Sequence, residues 1–260
     1  MTAEPGTGEF SHRRVLPVLG VPIDVIDSAT AIQRISQWAQ RHESRYVCIC
    51  NVHSVVTATI EPLFMQALIN ADMATPDGSP IAWQLRRQGA QGQQRVSGPD
   101  LMLEYFDHAA SMSQSIYLYG STQNTLDLLV YQLHQRWPHL VIAGAYSPPF
   151  RPLTLEEDEA IIKKINSSGA GTVWVSLGCP KQERWMAMHR GRINAVMLGV
   201  GAAFDFHAGK IARAPAWMRN SGLEWLHRLC TDPRRLGRRY LTTNTSFLLA
   251  LLRQLLANNR

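Results

Sequence analysis

An α/β fold, with a mainly parallel sheet covered by helices on both faces (a Rossmann-like core), is what this 260-residue chain predicts. Three observations carry that reading. Short apolar, β-branched runs alternate with amphipathic runs of helical period. Gly, Ser, Pro and Asn residues punctuate the junctions between them. Hydrophobic residues make up 45% of the chain and charged residues 18%, enough for a sizeable packed core.

The elements follow in order. Residues 1–14 have no apolar run and read as a loosely ordered lead-in, not a secretory signal. Residues 17–26 are apolar and β-branched. Ser28 suits the cap of a helix whose inner face is Ile32, Ile35, Trp38 and Ala39. Residues 46–50 form a buried strand ending at Asn51, followed by a helix to about Ala58 and another after Pro62. Residues 73–77 lead into Gly78, Ser79 and Pro80, with Ser79 as cap and Pro80 in the first turn. Asp100 reads as the cap of a helix over 101–110. Residues 115–119 are a strand, 122–137 a helix and 140–146 a strand. Thr154 and Glu157 form a capping box for a helix that Gly169 ends. Residues 172–177 and 195–199 are strands, with a helix started by Pro180 between them.

Past Asp205 the pattern changes. Arginines and the tryptophans Trp217 and Trp225 crowd residues 209–239. A helix over 240–258 then places Leu248, Leu251, Leu252 and Leu255 on one face. We divide the chain into an α/β core, 1–209, and a basic amphipathic appendage, 210–260. The net charge divides the same way: ten Lys and Arg against Glu224 and Asp232 leave +8 on the appendage, whereas the whole chain carries +6. A membrane surface, a phosphate group or nucleic acid would each suit such a tail. No run of about 20 apolar residues is present to span a bilayer. The four cysteines show no zinc spacing and read as reduced thiols.

Ligands of open parallel sheets bind outside the carboxyl ends of the strands. Attention therefore falls on Asn51, Asp77, the Gly178–Gln182 turn and the 199–205 segment. Asp77 could take a proton from an attacking hydroxyl, or could serve only the Pro-Asp-Gly turn it sits in; the local sequence leaves both open. Arg95, beside a Gly-Pro bend, could hold a diphosphate. The turn before Gln182 offers free N–H groups to phosphates or hydroxyls. Gly199 and Gly201 lack the third glycine and distant acid of a dinucleotide fingerprint, which argues against a dehydrogenase or nucleotide-binding regulator. The arginines at 228, 234, 235, 238 and 239 form either a solvated face or, with their neighbouring aromatics, a membrane-facing one. A nucleic-acid-binding protein would also explain them, and would bind with steep salt dependence.

Taken together these segments resemble the WecG/TagA/CpsF glycosyltransferases (glycosyltransferase family 26). The matching pieces are LGVPID at 19–24, Asn51, PDG at 76–78, Arg95 with Gly98 and Asp100-Leu101, Gly178 with PKQE at 180–183, GVG at 199–201 with Phe204-Asp205, RAP at 213–215, and GLEW at 222–225 with Arg228-Leu229. The resemblance implies inverting, metal-independent transfer from a UDP-sugar to an undecaprenyl-diphosphate-linked sugar, without a further cofactor. It matches Asp77 to the catalytic base and Asn51, Arg95 and Gln182 to pocket residues. Arg228, Arg235 and Arg238 match arginines of an appendage that closes the site at the membrane. The resemblance further implies a protein on the cytoplasmic face of the membrane and an anionic lipid surface as partner, no nucleic acid, and leaves homo-oligomer formation open. Ile49 stands where the family often has Thr, removing a hydroxyl near the sugar. The nearest likeness within the family is to xanthan-type β-1,4-glucosyltransferases of exopolysaccharide synthesis. UDP-N-acetylmannosamine or its uronate is the alternative donor.

Overall fold

The computed structural model describes residues 13–258, apart from the side chains of Asn220, Arg235, Gln254, Leu255, Ala257 and Asn258. Most of the lead-in 1–14 lies outside the described residues, and so does the Leu255 side chain. The 17–26 run is two short strands, β1 (Val15–Val18) and β2 (Val21–Asp24), paired antiparallel around Leu19 and Gly20. Both turn residues have positive φ, which glycine adopts without strain.

The main sheet has six strands: β3 (Arg45–Cys50), β4 (Met73–Pro76), β5 (Ser115–Gly120), β6 (Val141–Tyr146), β7 (Thr172–Ser176) and β8 (Val196–Gly199). All are parallel, in spatial order β4-β3-β8-β7-β5-β6. The side chains of β3 explain its unbroken apolar run. Tyr46, Cys48 and Cys50 enter one hydrophobic core, while Val47 and Ile49 enter the core on the opposite face. A strand buried on both faces has no polar side to show.

Helices α1 (Ser28–Gln40), α5 (Gly98–Ser111), α6 (Gln123–Arg136) and α9 (Ala203–His207) cover one face, around Trp174, Tyr105 and Phe106. The other face carries α2 (Val52–Ile60), α3 (Pro62–Ile69), α7 (Leu155–Ser167) and α8 (Lys181–His189). Helix α4 (Ser79–Arg87) opens directly after the Asp77 turn. Thr154 and Glu157 make both bonds of the α7 capping box.

Three caps differ from the sequence reading, each by local chemistry. Asp27, not Ser28, caps α1 by accepting from the Thr30 N–H. Gly78 precedes α4 with φ +85°, so Ser79 is already helical. Ser97, not Asp100, caps α5, which frees the Asp100 carboxylate for other partners.

The C-terminal segment holds α10 (Ala216–Asn220), α11 (Glu224–Thr231) and α12 (Pro233–Asn258). The last helix starts seven residues earlier than its leucine pattern suggests. The leucine face also divides. Phe247 and Leu251 enter the same core as Val52 and Val56 of α2, whereas Leu248, Leu252 and Leu256 remain exposed. Burying those two side chains contributes on the order of 3–6 kcal/mol, enough to hold the helix against the body.

Candidate active site

The site is built where β3, β4 and β8 end. Asn51 caps α2 with its side-chain oxygen, accepting from the Ser54 N–H at 3.2 Å. That fixes the amide so that Nδ2 reaches Asp77 Oδ2 at 3.5 Å. The Asp77 N–H donates to the Cys50 carbonyl at 2.9 Å, which continues the β3–β4 ladder and locks the acid beside Asn51. The Val96 N–H donates to the Pro76 carbonyl at 2.8 Å, so Arg95 is carried alongside the same turn.

Asp77 is part-buried, and burial pushes its carboxyl up to about 6. The negative charge of Glu224 pushes the same way. The Asn51 amide and the Arg95 and Arg228 cations oppose both. A carboxylate balanced this way holds a negative charge at neutral pH yet remains basic enough to accept a proton.

Gln182 is buried below the Gly199 and Gly201 turns. Its amide N–H donates to Glu183 Oε1 at 2.9 Å, and its own Oε1 has no hydrogen-bond partner among the described residues. Glu183 is itself fully buried, which pushes its carboxyl up to about 7. A Cβ at Gly199 would meet Gln182 Nε2 at 3.0 Å, so the missing side chain there makes room for the amide. This close packing is the work of the glycine pair, whose spacing superficially suggests a dinucleotide loop.

The structure thus gathers Asn51, Asp77 and Arg95, sets Arg228 within electrostatic reach of Asp77, and places Gln182 at the adjoining strand ends. Arg228 also lies over the Phe206 ring at 5.3 Å. Arg238 stands exposed on α12, and the Arg235 side chain lies outside the described residues. Ile49 is buried in the core beneath β3. Among the described residues no group of three or more His, Cys, Asp and Glu side chains is disposed to hold a metal ion.

Sequence reasoning missed one cluster. Arg95 Nη1 donates to Glu224 Oε2 at 3.0 Å, Arg213 Nη1 meets Asp100 Oδ1 at 2.7 Å, and Arg219 Nη1 meets the same oxygen at 3.4 Å. The only signal for Glu224 was its place inside the GLEW run. Nothing local says that it meets an arginine 129 residues earlier.

The family model for the glycosyl transferase WecG/TagA/CpsF family matches residues 16–260. Two relatives, the N-acetylglucosaminyldiphosphoundecaprenol N-acetyl-beta-D-mannosaminyltransferases of Staphylococcus aureus strains NCTC 8325 / PS 47 and COL, are each 28% identical over 233 residues, 88% of this chain and 90% of theirs. Both relatives are named for an N-acetyl-beta-D-mannosaminyl group, where the sequence reading of this chain expects a glucosyl group of exopolysaccharide synthesis.

Proposed function

The chain belongs to the WecG/TagA/CpsF glycosyl transferase family, and from that premise we propose that it moves one N-acetylmannosamine-type sugar from UDP to an N-acetylglucosaminyl-diphospho-lipid. The relatives' named substrates support the donor and acceptor. The observation that carries the chemistry is the Asp77 carboxylate, fixed beside the Asn51 amide at the strand ends, with Arg95 and Arg228 within electrostatic reach.

The step balances with one base and no covalent intermediate. An acceptor hydroxyl oxygen attacks the anomeric carbon from the face opposite UDP, and its proton passes to Asp77. The bond from the anomeric carbon to the phosphate oxygen breaks, and its electron pair leaves with UDP. Inversion follows from that geometry. Arg95 and Arg228 neutralise the negative charge that develops on the diphosphate. The buried Gln182 oxygen, lacking a donor of its own, suits a sugar hydroxyl or N-acetyl N–H.

Residues 210–260 serve as the membrane-facing part. They carry +8, and Leu248, Leu252, Leu256 and Trp217 are each more than half exposed. No described helix is long and apolar enough to cross a membrane. Such a surface suits peripheral binding to anionic lipid, where each nearby Lys or Arg contributes about 1 kcal/mol. The test is transfer to a short-chain N-acetylglucosaminyl-diphospho-lipid from a panel of UDP-sugars. Turnover with UDP-N-acetylmannosamine supports the reading, and turnover restricted to UDP-glucose overturns it.

A further inference from the structure

Glu224 lies on the C-terminal segment, yet its carboxylate meets Arg95 and acts on Asp77. Two observations bring it there. Gly222, two residues earlier, has φ +77°, and a Cβ on it would fall 2.5 Å from the Ser79 hydroxyl oxygen. The segment therefore passes directly against the start of the helix that follows Asp77, at a place where both the positive φ and the Ser79 side chain favour glycine. The Glu224 carboxylate then divides between two guanidiniums, with Oε2 taking the Arg95 hydrogen bond at 3.0 Å and Oε1 lying 3.6 Å from Arg213 Nε.

We propose that Glu224 is a positioning residue of the transfer reaction, clamping the Arg95 guanidinium beside Asp77. The proposal rests on the transfer reading above. A free arginine samples many rotamers, and holding it in one place removes that ordering cost from the step in which charge develops on the diphosphate. Arg95 Nη1 bonds to Glu224 at 3.0 Å and Nη2 lies 3.6 Å from Asp100, so the two acids hold the guanidinium from both terminal nitrogens. Arg213 Nη2 and Arg219 Nε are also buried without a hydrogen-bond partner. Such unmet donors suit an anion entering beside the clamp.

Glu224 also acts on the base. Among the described residues, the charged and titratable groups acting on Asp77 are Arg95, Arg228 and Glu224, with the buried Cys50 thiol behind it on β3. Of these, Glu224 is the residue whose negative charge most raises the Asp77 carboxyl, after burial itself. Removing that charge while keeping the shape makes Asp77 a stronger acid.

The experiment compares the full chain with Glu224→Gln, Glu224→Ala, Arg95→Ala and the double variant Arg95→Ala with Glu224→Ala. It reads kcat, donor KM and the pH profile of kcat/KM, with backbone amide exchange over 213–228 to report docking. At a pH above the acidic limb, where Asp77 is ionised in every variant, Arg95→Ala is expected to lose about 100-fold in kcat, and the double variant to be no worse, because the clamp acts through Arg95. Glu224→Gln, whose amide oxygen still accepts from Arg95, should keep more rate than Glu224→Ala and move the acidic limb to lower pH. Losses that multiply in the double variant overturn the proposal. A Glu224→Gln profile superimposable on the parent, or a rate loss explained by undocking, overturns it too. A parent chain with no turnover on any UDP-sugar is instead a failure of the transfer reading, and the same double-variant comparison then moves to UDP affinity by calorimetry.

Discussion

Asn51 Nδ2 stands 3.5 Å from Asp77 Oδ2, while the same amide's oxygen caps α2. One side chain therefore ties the helix start to the acid, and the amide can offer the carboxylate only a donor. That donor favours the ionised form and restrains the rise that burial imposes.

Asp77→Asn should cost about 100-fold or more in turnover, the usual scale for losing a general base. The fold should survive, and steady-state rates alongside circular dichroism check both. Near-parental turnover in the folded variant would assign the proton transfer elsewhere.

The same substitution should stabilise the protein at pH 7. The native carboxyl sits near 6, above its ordinary value of 3.8, so the folded state holds the proton more tightly than the unfolded chain does. Stability is then lost as pH rises from about 4 through about 6. Asn carries no such penalty, and a gain of about 1–3 kcal/mol is expected in urea unfolding at pH 7, shrinking to little below pH 4.

Activity should follow the opposite sign. The base works when ionised, so kcat/KM should be full above about 7 and fall as pH drops through about 6. A profile flat down to pH 4.5 would contradict the assignment.

Much of this was legible from local chemistry. The strand ends at Asn51 and Asp77, the Thr154–Glu157 box and the alternating burial of β3 each follow from a few neighbouring residues. What escaped depends on distant partners. Asp100 resembles a cap in sequence, but Ser97 stands three residues nearer the helix start and takes that role. The first turns of α12 read as a charge run because Gly237 and four arginines interrupt the apolar pattern, and packing on α2 sets the helix. The Arg95–Glu224 pair joins residues too far apart for any local spacing to show.

Membrane attachment and chemistry should separate by residue. Replacing Leu248 and Leu252 by Ser removes exposed apolar surface without touching Phe247 or Leu251 in the core. Binding to anionic vesicles in a flotation assay should drop several-fold, while turnover on a soluble short-chain acceptor stays near parental. Arg228→Ala should show the reverse, with retained flotation and lower kcat.

Turnover should be insensitive to EDTA, because the proposed leaving-group stabilisation comes from Arg95 and Arg228. Loss of rate in chelator, restored by magnesium or manganese, would transfer that task to a metal ion.

The most direct measurement is mass analysis of the lipid product formed from N-acetylglucosaminyl-diphospho-lipid and UDP-N-acetylmannosamine, run in parallel with Asp77→Asn. The expected result is a product heavier by one N-acetylhexosamine, made by the parent and nearly absent from the variant. No added N-acetylhexosamine with the parent, or equal product from both proteins, would contradict the central claim.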